Sequence, residues 1–174
     1  MGTATNIVVG LQNTNTIKVG SYGDDELTAV DLGYIKGGIV IEHDSDHYDV
    51  KVDQVLGAVD KITVEESMKI KLSLAEATLE NLAVAFGYPT TAVSAGTFNF
   101  GSKSESEFKT LYINVKGPAN AERKYTFWKT KPTGKTSQEY KRNGETLVDV
   151  EFDVLCDTTK SQNQRFGSIA DTAV

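Results

Sequence analysis

Along most of this chain apolar and polar residues alternate, the two-residue period of strands that are buried on one face. The last such stretch, Leu147 to Cys156, is the most regular: Val148, Val150, Phe152, Val154 and Cys156 fall on one face, and Asp149, Glu151 and Asp153 on the other. Phe108 to Lys116 places Leu111, Ile113 and Val115 together, and Lys124 to Thr130 is an aromatic strand with Tyr125, Phe127 and Trp128. Asn6 to Val9 and Thr16 to Val19 are weaker strand candidates, and Thr97 to Phe100 is a short one within the Ser-, Thr- and Gly-rich loop from Thr90 to Glu107.

Two stretches break the alternation. After Gly37-Gly38 the apolar positions are odd-numbered up to His43, then even-numbered at Tyr48, Val50 and Val52. A strand cannot exchange its buried face without a bulge or a turn. The polar patch Asp44-Ser45-Asp46 is where the exchange is expected, as a hairpin or sharp bend. The next strand, Ile62 to Leu72, carries Ile62, Val64, Met68, Ile70 and Leu72 on one face, interrupted by Glu65-Glu66-Ser67. That interruption predicts a bulge or a loop tip.

One segment has the helical period. Ser73 with Glu76 three residues on forms a capping box, and Ala75, Leu79, Leu82, Ala83 and Phe86 make an apolar stripe. Gly87 and Pro89 end it, so the helix is predicted over Leu74 to Phe86. Lys131-Pro132-Thr133-Gly134 predicts a turn, and Asn143-Gly144 a two-residue hairpin connection. About eight strands and one helix give a mainly β domain. It is expected to be two packed antiparallel sheets, a sandwich or partly closed barrel, with one flanking helix and extended arms. The predicted division is residues 1–30 as N-terminal arm and first strands, 31–157 as the sandwich, and 158–174 as a mostly structureless C-terminal arm with Phe166 and Ile169 as anchors.

Length and composition add bounds. The 174 residues suffice for one substantial core. No run approaches the roughly 18 apolar residues of a membrane span, and the N-terminus lacks the pattern of a signal peptide. A single cysteine, Cys156, excludes an intramolecular disulfide; on the apolar face of its strand it is expected to be buried and inert. A net charge of −6 argues against a general phosphate-binding surface, yet acidic walls would suit a channel that DNA must traverse without sticking.

Candidate chemistry is sparse. His43 and His47 flank Asp44-Ser45-Asp46, but on one strand the imidazoles lie about 13 Å apart, and a polar hairpin tip accounts for the pattern. The Gly134-Lys135-Thr136 triplet imitates a phosphate loop, but Lys129 stands where that motif needs glycine. The aromatic strand flanked by Arg123, Lys124 and Lys129 is better read as core packing with a charged rim than as a nucleic-acid platform. No catalytic constellation, metal site or cofactor is predicted.

The stretch from Asp31 to Gly87 resembles the major tail tube proteins of long-tailed bacteriophages. The similarity is carried by Asp31-Leu32-Gly33, Gly37-Gly38, Asp53-Gln54 and the run Leu74-Ala75-Glu76-Ala77-Thr78-Leu79-Glu80-Asn81-Leu82, with Arg165-Phe166-Gly167 near the end. The tubes of contractile injection and type VI secretion systems share that fold. The resemblance implies two packed β-sheets flanked by a helix. It also implies a non-enzymatic virion protein, assembled in the host bacterial cytoplasm into hexameric rings. Those rings stack into a tail tube that conducts the genome, with the tape measure protein and double-stranded DNA as transient occupants of the lumen and no membrane partner. A long hairpin and the terminal arms of such proteins bridge rings. Here the expected contacts between subunits are His43, Asp44, Asp46, His47, Glu65, Glu66, Phe166 and Ile169, and Asp149, Glu151 and Asp153 are expected to face the lumen. The alternatives are a tube-terminating, baseplate or secretion-system component of the same fold, and a soluble β-sandwich binding module.

Overall fold

The computed structural model describes residue 8 and residues 17–102, 106–133, 136–140 and 142–172. Among these the chain is mainly β, with one α-helix. In order come β1 (Ile17–Ser21), β2 (Val30–Asp31), β3 (Ile35–Lys51), β4 (Ala58–Leu74), α1 (Leu79–Ala85), β5 (Val93–Ser94), β6 (Thr97–Phe98), β7 (Lys109–Lys116), β8 (Glu122–Pro132), β9 (Ser137–Gln138), β10 (Val148–Val154) and β11 (Gly167–Thr172).

All pairings are antiparallel. One layer runs β2-β1-β7-β8, with β11 added to the other side of β8 along Glu122–Phe127. The other layer runs β10-β4-β3, with β9 on β10. They are joined because the end of β8, Thr130 to Pro132, turns to pair with Val154 to Phe152 of β10. The two inner faces make one core: Ile17, Val19, Leu111, Ile113 and Phe127 from the first layer meet Ile70, Leu72, Leu74, Val148, Val150, Phe152 and Val154 from the second. This is the β-sandwich with one helix that the alternation predicts, and it is not closed into a barrel.

The helix ends where Gly87 and Pro89 end it. Gly87 N–H donates to Val84 O (2.9 Å) and Tyr88 N–H to Ala83 O (2.7 Å), the paired bonds of a Schellman motif. Its start differs. Ser73 and Leu74 belong to β4, where Leu74 is fully buried opposite both Val148 and Ile35. The N-cap is Thr78, whose hydroxyl accepts from Asn81 N–H at 3.2 Å. Burial of Leu74 between two strands outweighs the capping box, and Glu76 is recruited elsewhere: its carboxylate accepts from Tyr34 N–H at 3.0 Å.

The C-terminal stretch also differs from expectation, since residues 167–172 form β11. Polarity hid this strand, because its side chains beyond Gly167 are exposed and only its backbone is paired. Cys156 is exposed. The alternation of β10 stops at Val154, where Leu155 N–H turns to Lys129 O (2.8 Å) and Asp157 becomes the next buried residue. Asn143-Gly144 does lie in a turn between β9 and β10, but within a longer connection, residues 139–147. The strand expected over Asn6 to Val9, Val8 apart, and Gly134-Lys135 lie outside the described residues.

Candidate assembly surfaces

The residues of the predicted site lie on the long β3–β4 hairpin and the outer face of β10, apart from Phe166 and Ile169 at β11. The hairpin is not turned at Asp44 to Asp46. β3 runs unbroken through that patch to Lys51, the chain reverses over residues 52–57, and β4 returns from Ala58. Polar residues cost nothing there because both faces of this part of the hairpin are open to water.

The expected change of face is nevertheless present. Asp46 pairs with Glu65, but His47 pairs with Thr63, which leaves Val64 without a partner. The break near Asp44 to Asp46 and the break near Glu66 are therefore two sides of one bulge. His43, Asp44, Asp46, His47, Glu65 and Glu66 are all exposed and gathered around it. On one face His47 Nδ1 lies 3.2 Å from Thr63 Oγ1 and its Nε2 lies 3.2 Å from Ser45 Oγ, and Lys61 reaches Asp49 at 3.5 Å. His43 and His47 share that face with Ser45 between them, and no group of three or more metal-binding side chains exists among the described residues.

Between the core and the bulge, Ile39, Ile41 and His43 stand opposite Leu72, Ile70 and Met68 on the inward face. Beyond the bulge the apolar residues occupy the other face. Tyr48 is paired with Ile62, and they are 64% and 53% exposed; Val64, Val59, Val55, Val52 and Leu56 are exposed as well. Read as single strands, these residues look like one side of a core. The signal that separates them is joint: β3 changes apolar parity at the point where β4 does not.

At the base of the hairpin, the five residues of β3 from Ile35 to Ile39 span only the three from Leu74 to Leu72 of β4. Gly37 and Gly38 absorb the excess with φ of +83° and +87°, a conformation that glycine adopts without steric cost. The other motif residues meet in space. Asn81 Nδ2 donates to Leu32 O (2.9 Å) and Glu76 O (2.8 Å), Asp31 Oδ1 accepts from Gly33 N–H (2.8 Å), and Gly33 (φ +76°) lies against the Glu76 carboxylate, which an added Cβ would displace. Together they fasten the helix to the strand entering the hairpin.

The outer face of β10 carries the acidic stripe, interleaved with lysine. Lys69 Nζ lies 3.1 Å from Glu151 and 3.8 Å from Asp153, and Lys71 Nζ 2.7 Å from Glu42 on β3. Lys69 is held above its ordinary pKa, first by the hydrogen bond to Glu151 and then by the charge of Asp153. Asp149 is held below the usual carboxylate range by the hydroxyls of Ser73 (2.5 Å) and Ser137 (2.8 Å). Phe166 is half-buried against the core, and Ile169 is exposed on β11. A bidentate pair, Arg123 to Asp171 at 2.6 and 2.8 Å, ties β11 to β8. Among the described residues no helix is long and apolar enough to cross a membrane.

No protein-family model matches the chain, and no curated protein matches it. Solved structures do match. A chain from the tail of an empty gene transfer agent particle, refined helically with C6 symmetry, has a TM-score of 0.49 at 13% identity, over 93% of this chain and 99% of that one. A chain from the virion of a native gene transfer agent particle gives 0.46 at 12%, over 93% and 99%. A chain from the anti-feeding prophage baseplate, determined by cryo-EM with six-fold symmetrisation, gives 0.51 at 8%, over 95% and 96%. With the baseplate chain this protein shares a fold across nearly its whole length.

Proposed function

We propose that the chain is a non-enzymatic structural subunit of a phage-type tail tube that self-assembles into stacked six-membered rings. The observation that carries this reading is the projecting hairpin, whose half beyond the bulge exposes Tyr48, Ile62 and Val64 to water. A two-stranded hairpin is marginal by itself, and a contiguous apolar surface of this kind marks an interaction site. The fold shared with a baseplate chain from a six-fold assembly supports the same conclusion. In this reading the hairpin and the segments around Phe166 and Ile169 contact neighbouring copies, and the particle belongs to a virion tail made in a bacterial cytoplasm. Asp149, Glu151 and Asp153 face a lumen that holds the tape measure protein and then passes DNA. Walls whose lysines are spent on neighbouring carboxylates let a polyanion slide without capture.

Negative-stain electron microscopy of the full chain tests this: hollow tubes or six-membered rings are expected. A protein that stays monomeric by light scattering up to the highest attainable concentration refutes it. A second reading, a baseplate or tube-terminating component, is favoured by the baseplate origin of the chain with TM-score 0.51. It predicts rings that do not stack.

A further inference from the structure

The bulge has a consequence for which side of the arm is sticky. In β3 the apolar positions change parity and so change face by sequence alone. In β4 they do not: Leu72, Ile70, Met68, Val64 and Ile62 are all even-numbered. Without an extra residue Ile62 would stay on the inward face while Tyr48 and Val50 moved to the other. Because Val64 is unpaired, Ile62 comes opposite Tyr48. The outer side of the distal arm is then Asp46, Tyr48, Val50, Asp60, Ile62 and Glu65, apolar residues with carboxylates and no cation. The other side holds His47, Asp49, Lys61 and Thr63.

A complementary surface exists on the same chain. At the mouth of the sandwich, between β3 and the β7–β8 pair, a largely apolar cavity of about 270 Å³ is lined by Val8, Ile39, Ile41, Ile113, Val115 and Tyr125, with Lys116 and the Asp171-paired Arg123 beside them. We propose that Val64 determines the sidedness of the arm, turning its apolar-acidic side away from its own core so that it seats on the sandwich mouth of a second copy. A contact between two different surfaces of identical chains is heterologous, the type that propagates into rings or stacks. This inference rests on the assembly reading above.

Inserting one threonine after Asp46 gives Val64 a partner and returns Tyr48, Val50 and Ile62 to the inward face; deleting Val64 removes the bulge but keeps these faces. The insertion is expected to raise the concentration needed for assembly by at least about tenfold with unchanged circular dichroism and melting, whereas the deletion still assembles. Two singly substituted chains, Ile62→Cys and Val115→Cys, each with Cys156→Ser, are expected to form a mixed disulfide dimer when co-assembled and oxidised. Assembly of the insertion variant at the wild-type concentration overturns the inference and leaves the assembly reading standing, as does the absence of the mixed dimer from assembled particles. A wild-type protein that never assembles overturns both.

Discussion

Asn81 offers the sharpest test of what holds the motif region together. It is 3% exposed, and its single Nδ2 donates to two carbonyls, Leu32 O on the strand side and Glu76 O on the helix side. Asn81→Ala strips the donor from both. Leaving a buried polar group without a partner costs about 1–3 kcal/mol. Because the Glu76 side is only partly buried, the expected loss is roughly 2–4 kcal/mol. At about 2–4 °C per kcal/mol for a chain of this size, Tm should fall by roughly 4–16 °C. Asn81→Asp preserves the volume but turns a carboxylate toward two carbonyl oxygens, so at pH 7 it should be worse than alanine. Such an aspartate has a folded-state pKa raised above its unfolded value. Its penalty is therefore absent below the unfolded pKa and grows as pH rises, and the gap between the two variants should close toward pH 4. Urea melts of the monomer at pH 7 and pH 4 measure this. An aspartate variant as stable as the alanine variant at pH 7 refutes the reasoning.

Other expectations follow from the same geometry. Gly33→Ala forces a side chain into the left-handed region and against Glu76, and should cost about 1–3 kcal/mol in a denaturant melt. Thr78→Ala should destabilise by about 1 kcal/mol as the true N-cap. Ser73→Ala should instead act through Asp149, whose carboxyl the Ser73 hydroxyl holds below the usual range. A lowered folded pKa contributes stability above the unfolded value and loses it as pH falls through the folded value. The destabilisation by Ser73→Ala should therefore be seen at neutral pH and vanish in acid, with the Asp149 carboxyl titrating higher by NMR. The pair Tyr48→Ser and Ile62→Ser should abolish assembly in electron micrographs while leaving the monomer's melting temperature within about 2 °C, because neither residue touches the core.

The core was legible because β10 buries every second residue, and burial writes its period into sequence. The helix end was legible because Gly87 and Pro89 act locally. Its start was not: a capping box is a local preference of about a kcal/mol, and Leu74 gains more from complete burial between β3 and β10. β11 left no alternating pattern, Ile169 being its one large apolar residue, because it is held by backbone pairing and the Arg123–Asp171 clamp. The hairpin showed its two irregularities in sequence, but not that they are one. That needs the pairing of β3 with β4, a relation between residues that neither strand contains alone. The apolar residues beyond the bulge carried the same alternation as a core and were indistinguishable from it until their exposure was seen.

The three carboxylates on the apolar side of the arm also bear on the order in which the chain folds. β3 and β4 are neighbours in sequence, so the arm is complete by Leu74, whereas the sandwich cannot close before β10 arrives between β4 and β8. During synthesis, all the residues of the arm are therefore present beside an unfinished body, with Tyr48 and Ile62 open to any similar segment nearby. Asp46, Asp60 and Glu65 stand on that same side and repel their counterparts on another chain. They act as gatekeepers that keep nascent arms apart until a closed body exists for them to meet.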